Sequence, residues 1–141
     1  MSTRPRWFLM LATVFLLWAF AGAAAFAGHV LVGEQMAAAE SAWDLAFYRG
    51  LPAWFVWDYG MATLGAVAGA LAMLQRSRWA VPLYVASLIG VLIQFGYVFL
   101  GTDLLTHKGA VVTVPFPAFI ALMGVVQIAV ARLAARRGWT N

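Results

Sequence analysis

Residues 52–101 read PAWFVWDYGMATLGAVAGALAML, then QRSR, then WAVPLYVASLIGVLIQFGYVFLG. Two apolar runs, Pro52–Leu74 and Trp79–Gly101, are joined by Gln75-Arg76-Ser77-Arg78 and hold one charged side chain between them, Asp58. Each run is about 20 residues long, enough to cross ~30 Å of hydrocarbon as a helix. Lipid offers no partner to a backbone N–H or C=O, so a run of this kind satisfies those groups within itself by coiling. The stretch is therefore expected to be a transmembrane hairpin with a basic turn.

Two further runs flank it, Trp7–Ala27 and Val111–Leu133, and the first stays apolar through His29-Val30-Leu31-Val32 and can continue to Met36. The expected fold is an all-α membrane protein, a four-transmembrane-helix bundle forming a single integral membrane domain over residues 1–141. Composition agrees: 65% of the chain is hydrophobic and 10% charged, with a mean hydropathy of +0.87. A soluble domain carries about 25% charged residues, so this chain lacks the polar surface to clothe one. It has no cysteine, which excludes disulfides, thiolate catalysis and cysteine-ligated metals.

The charges are sorted. Arg4, Arg6, Arg76, Arg78, Arg132, Arg136 and Arg137 occupy the N-terminus, the middle turn and the C-terminus, whereas Glu34, Glu40, Asp44, Asp58 and Asp103 fall at the other ends of the spans. Basic loops stay on the cytoplasmic side, so both termini are expected inside, in a bacterial inner membrane. Trp7, Trp79 and Trp139 would mark the inner interface and Trp43, Trp54 and Trp57 the outer one. The net charge of +4 is spread over span ends rather than gathered in a patch, so it suits anionic lipid headgroups and gives no sign of nucleic acid as a partner. An alternative for the first span is a signal peptide: Arg4 and Arg6, Trp7–Phe20, then Ala25-Phe26-Ala27. Against it, Trp18, Phe20 and Phe26 crowd the cleavage region.

The first outer gap, Gly28–Leu51, has room for structure. Gln35–Arg49 lacks proline and glycine, sets Trp43 and Phe47 on one face and Glu40 and Asp44 on another, and is expected to form a short helix lying at the outer interface.

At 100° per residue, Asp58, Ala62, Gly65, Gly69 and Ala72 share a stripe of the second span. Ser87, Gly90, Gln94, Tyr97 and Gly101 share one on the third, opposite Leu88, Leu92, Phe95 and Phe99. Thr113, Pro117, Gly124, Gln127 and Ala131 share one on the fourth, and Trp18, Gly22, Ala25 and His29 one on the first. Small residues let helix backbones approach, so Gly22, Gly65, Gly69, Gly90 and Gly124 are the expected packing positions.

Asp58 lies about six residues inside its span, roughly 9 Å along the axis, where a carboxylate costs up to about 2.5–3.5 kcal/mol. Gln94, Tyr97 and Thr113 fall in the same outer half and His29 near its mouth. These five are expected to converge on an outward-open polar site. The plainer alternative is a hydrated Asp58, or one bonded to Tyr97 or an outer-loop amide, that fixes packing. Gln127 is expected to bond across helices, and Lys108 to pair with Asp103. His29 and His107 lack the spacing of a metal or chlorin site, so no metal and no cofactor is expected. Pro115 and Pro117 sit in a first helical turn, where proline is tolerated. No nucleophile elbow, phosphate loop or HExxH sequence is present, which argues against an enzyme.

Arg78-Trp79-Ala80-Val81-Pro82, Ser87-Leu88-Ile89-Gly90-Val91 with Gln94, the opening Trp7 to Trp18 with Gly22, and Pro52-Ala53-Trp54 leading to Gly65 resemble a group of small bacterial inner-membrane proteins of unknown function with four spans. Many of these carry the automatic label "sugar transporter". The resemblance implies the four-span fold; no residue role comes with it, and the chain lacks the Pro-Gln signature of small sugar-permeating families. Two functions are carried forward: a non-enzymatic accessory or structural subunit that packs with a membrane partner or with itself, and a small oligomeric transporter or channel built around Asp58.

Overall fold

The computed structural model describes residues 3–141. Their order is α1 (Arg6–Glu40), α2 (Ala42–Gly50), α3 (Trp54–Leu74), α4 (Ala80–Leu100), α5 (Leu104–Lys108), α6 (Ala110–Thr113) and α7 (Pro115–Arg136). Four helical segments are long and apolar enough to cross a bilayer: α1, α3, α4 and the α6–α7 pair. This is an all-helical, multi-pass membrane protein.

The spans pack in the order α1, α3, α4, α7, with α3 and α4 closest. Gly69 lies under the Tyr84 ring, Gly65 on Ser87, and Gly90 on Ala62, where an added Cβ would come within 3.1 Å of the Ala62 Cβ. Each step along α3 thus matches one step back along α4, the register of an antiparallel hairpin. Ser87 Oγ donates to the Ala62 carbonyl at 2.5 Å across the same seam. Gly124 faces the tip of Leu88, and Gly22 makes only ordinary contact with Thr63.

α1 keeps Gly22 and His29 of the expected Trp18, Gly22, Ala25, His29 stripe on its packed line and leaves Trp18 and Ala25 off it. Phe8, Ala12, Phe15 and Ala19 are buried. The line continues through Gly22 on Thr63, Phe26 on Gly60 and His29 among the Phe55 and Tyr59 rings. This alternating spacing of four and three is a seven-residue seam. Ala25 is exposed, because the large apolar area of Phe8, Phe15 and Phe26 decides the phase. Phe95 and Phe99 are half-buried rather than turned to lipid, since α4 is covered by α3 on one side and α7 on the other.

The dense core sits at the basic end. Phe8, Phe15, Ala70, Met73, Ala80, Tyr84, Ala131 and Ala134 form one buried cluster. Both helix ends there close in the left-handed αL fashion that satisfies the last carbonyls. Ser77 N bonds to the Ala72 carbonyl at 2.7 Å and Trp139 N to that of Ala134 at 2.8 Å, with Arg76 at φ 65° and Gly138 at φ 67°. Asn141 N bonds to the Arg76 carbonyl at 2.6 Å, Arg4 donates to that of Leu74 at 2.8 Å, and Trp139 packs on Phe8 with ring centroids 5.0 Å apart. The chain's two ends are thereby tied to the α3–α4 turn.

The last span is interrupted at its start. Pro115 and Pro117 have no N–H to offer the carbonyls one turn back, and the helix breaks at Val114 between α6 and α7. Val114 keeps helical dihedrals (φ −84°, ψ −38°), so the prolines interrupt the ladder locally and the two pieces still make one span.

α1 is the outlier in length. Its 35 residues extend about 52 Å at 1.5 Å each, whereas α3 and α4 have 21 residues each. His29 is level with Phe55 near the start of α3, so α1 continues about 16 Å past the other spans. Ser41 stops it: an extended residue (φ −166°) whose side chain accepts from Asp44 N, capping α2. The expected helix in the outer gap is present over Ala42–Gly50, but it turns back along α1 instead of extending as one piece from Gln35. Tyr48 Oη donates to the His29 carbonyl at 2.8 Å and packs on Gly33, and Arg49 pairs with Glu34.

Candidate functional site

The five residues expected to converge do not share one cavity. Asp58 is four residues into α3, about 6 Å deep, because the helix begins at Trp54. It is buried on the α4 side, and the α3–α4 register sets it level with Gln94. Its Oδ2 has no hydrogen-bond partner among the described residues. Neither Tyr97 nor a loop amide takes that place.

Tyr97 packs against Trp54 and Phe55 and lines a groove at the end of the bundle away from the basic core, with Trp43, Phe47 and Asp103. His29 sits half-buried among Tyr48, Phe55 and Tyr59. Thr113 donates its hydroxyl to the Gly109 carbonyl one turn back, at 2.8 Å, within its own short helical segment. Gln94 faces elsewhere again, into a cavity in the middle of the bundle.

That groove lies beneath a cap made by α2. Trp43 stacks on His107 with centroids 4.1 Å apart and planes 5° from parallel, and its Nε1 donates to Asp103 at 3.4 Å. Lys108 pairs with Asp44 rather than with Asp103 and lies over the Trp43 ring. The Lys108 ammonium and the Ser41 hydroxyl both donate to Asp44 and hold its carboxyl below the usual carboxylate range. Ser41-x-x-Asp44 is a helix-start pattern, and it marks where α1 ends and α2 begins.

The central cavity has a volume of about 340 Å³ and draws its walls from α1, α3, α4 and α7. Trp18, Phe95 and Phe116 make it largely apolar, and Tyr59, Thr63, Ser87, Gln94 and Gln127 are its polar residues. Thr63 gives its hydroxyl proton to the Tyr59 carbonyl at 2.9 Å. Gln127 is buried, and instead of bonding across helices its Nε2 has no partner among the described residues. Sequence reasoning missed Tyr59 and Thr63, one helical turn apart on α3, because their face is defined only by where α1 and α7 leave a gap. Among the described residues, no three His, Asp or Glu side chains group as metal ligands would.

No family model, no curated protein and no solved structure matches this chain.

Proposed function

We propose that this chain is a non-enzymatic protein of a bacterial inner membrane, with both termini cytoplasmic, that acts as an accessory or structural subunit packing with a membrane partner or with a second copy of itself. The observation that carries this reading is the outer third of α1. Val30, Leu31, Val32 and Met36 are 49%, 75%, 41% and 60% exposed, on a helix that has outrun the other spans and is covered only by α2. Full burial of such a side chain is worth about 1.5–3 kcal/mol, so a partner covering this face would gain several kcal/mol from it. The orientation rests on Arg4, Arg76, Arg78, Arg136 and Arg137 at one end of the bundle and Glu34, Glu40, Asp44 and Asp103 at the other.

The test is purification in mild detergent followed by mass measurement of the intact complex, with single cysteines at Leu31 and Met36 for cross-linking. A stoichiometric second protein or a dimer cross-linked at these positions is the expected result. A lone monomer that cross-links to nothing refutes the proposal.

One observation favours a second reading, a small oligomeric transporter or channel for a small solute, cation or proton: the buried, unpartnered Oδ2 of Asp58. Uptake into sealed vesicles that disappears in Asp58→Asn would support it, and wild-type uptake in that variant would remove it.

A further inference from the structure

The central cavity has a mouth, a wall and a buried amide donor without a partner. On its rim are Ala21 and Ala25 of α1 and Phe116 of α7, all exposed. The cavity therefore opens between α1 and α7, the two outer members of the packing order, toward lipid rather than toward water. Trp18 against Phe119, centroids 5.5 Å apart, closes the gap on the basic side of this mouth.

The chemistry inside is specific. Among the described residues, no Arg, Lys, His, Asp or Glu lines the cavity, and an ion brought there would lose its hydration with no counter-charge in return. The hydroxyl protons of Thr63 and Ser87 are already given to backbone carbonyls. The Tyr59 hydroxyl and the Gln94 amide also face the cavity, but among the described residues the lining atom buried without any partner is Nε2 of Gln127, a donor on a side chain 3% exposed. A buried donor without a partner is destabilising, and the missing group is an uncharged acceptor oxygen. At about 340 Å³ the space is at the lower end of the range for small-molecule sites, about 300–1,000 Å³.

We propose that this cavity binds a neutral, lipid-soluble molecule that places a carbonyl oxygen on Gln127 Nε2 and leaves its apolar remainder along Trp18 and Phe116, out between α1 and α7 into the bilayer. Two sources offer that chemistry: the ester carbonyl of a neutral glyceride and the ring carbonyl of a quinone. The site needs no partner protein, so it stands or falls separately from the subunit role.

The experiment uses the full chain in mild detergent, with 1,2-dioctanoylglycerol and a decyl-substituted benzoquinone as probes, followed by native mass spectrometry over a concentration series. One of the two is expected to bind one per chain, which identifies the source. Gln127→Leu should weaken that binding about tenfold or more, the effect of losing one well-made buried hydrogen bond. Its melting temperature should stay at or above the wild-type value, because an orphaned polar group is gone. Ala21→Phe, at the exposed mouth and away from the basic-end core, should abolish binding without unfolding the bundle. If Gln127→Leu fails to fold, Ala21→Phe decides alone. Binding of neither probe to the wild type, or unchanged affinity in the folded variants, overturns the proposal.

Discussion

Gly90 and Gly96 stand on the same helix and should respond to the same substitution with opposite sign. Alanine at Gly96 meets no atom within 4 Å; it should stabilise by about 0.5–1 kcal/mol through backbone entropy and helix propensity. A Cβ at Gly90 would lie 3.1 Å from the Ala62 Cβ and 3.2 Å from its Cα, closer than the ~3.5–4.0 Å optimum for carbon pairs. Ala62 is 3% exposed, and its backbone cannot swing aside, so α3 and α4 must part by roughly half an ångström to restore that spacing. That displacement also strains the Ser87–Ala62 hydrogen bond. Overpacking of this kind costs about 1–3 kcal/mol, which the propensity gain of about 1 kcal/mol offsets only in part. The predicted gap between Gly96→Ala and Gly90→Ala is therefore about 1–3 kcal/mol. Gly124→Ala supplies a control: its new Cβ meets the Leu88 Cδ1 at 2.9 Å, the end of a flexible side chain that can rotate away, so its effect should be smaller than that of Gly90→Ala. The assay is reversible unfolding in mild detergent with increasing dodecyl sulfate, followed by tryptophan fluorescence. A Gly90→Ala protein as stable as Gly96→Ala would refute the close α3–α4 seam.

Three further outcomes are expected. Asp58→Asn should unfold no more easily than the wild type and should gain up to about 1 kcal/mol, since a buried charge without a partner gives way to a neutral amide of the same shape; a clear loss in the same unfolding assay would show that the charge is held by a stabilising contact. The outer cap should be pH-sensitive: the Asp44 carboxyl is held below its usual range by Lys108 and Ser41, so its contribution is present above about pH 4 and fades as pH falls through the lower folded value. Trp43 fluorescence should report release on acidification, with the acid transition weakened in Asp44→Asn, and a transition identical in the two proteins would contradict the Asp44 assignment. Reporter fusions at both termini and within Gln75–Arg78 should be cytoplasmic and one at Gly109 external; termini in opposite compartments would overturn the orientation.

Spans are written in local composition, which is why the hairpin of residues 52–101 and the two flanking runs are legible in the amino-acid order alone. A membrane demands about 20 apolar residues whatever they later touch, and glycines that admit a second backbone can be picked out on one face, as at Gly65, Gly69 and Gly90. The break at Ser41 carries a local signal too, because a capping residue acts within its own turn, although the unbroken run of helix formers around it masks that signal. What tertiary structure decided is which faces meet and what lies between them. Phe8, Phe15 and Phe26 set the packed line of α1, which keeps Gly22 and His29 of the stripe drawn by its small and polar residues but leaves Ala25 exposed. Lys108 finds Asp44, 64 positions away, in place of nearby Asp103, because α2 folds back over α5. Gln94, Gln127, Tyr59 and Thr63 become neighbours of one cavity, while Asp58, Tyr97, Thr113 and His29 are dispersed. Helical periodicity assigns a side chain to a direction around its own axis. It carries no information on the distance to a helix dozens of residues away, and only packing supplies that.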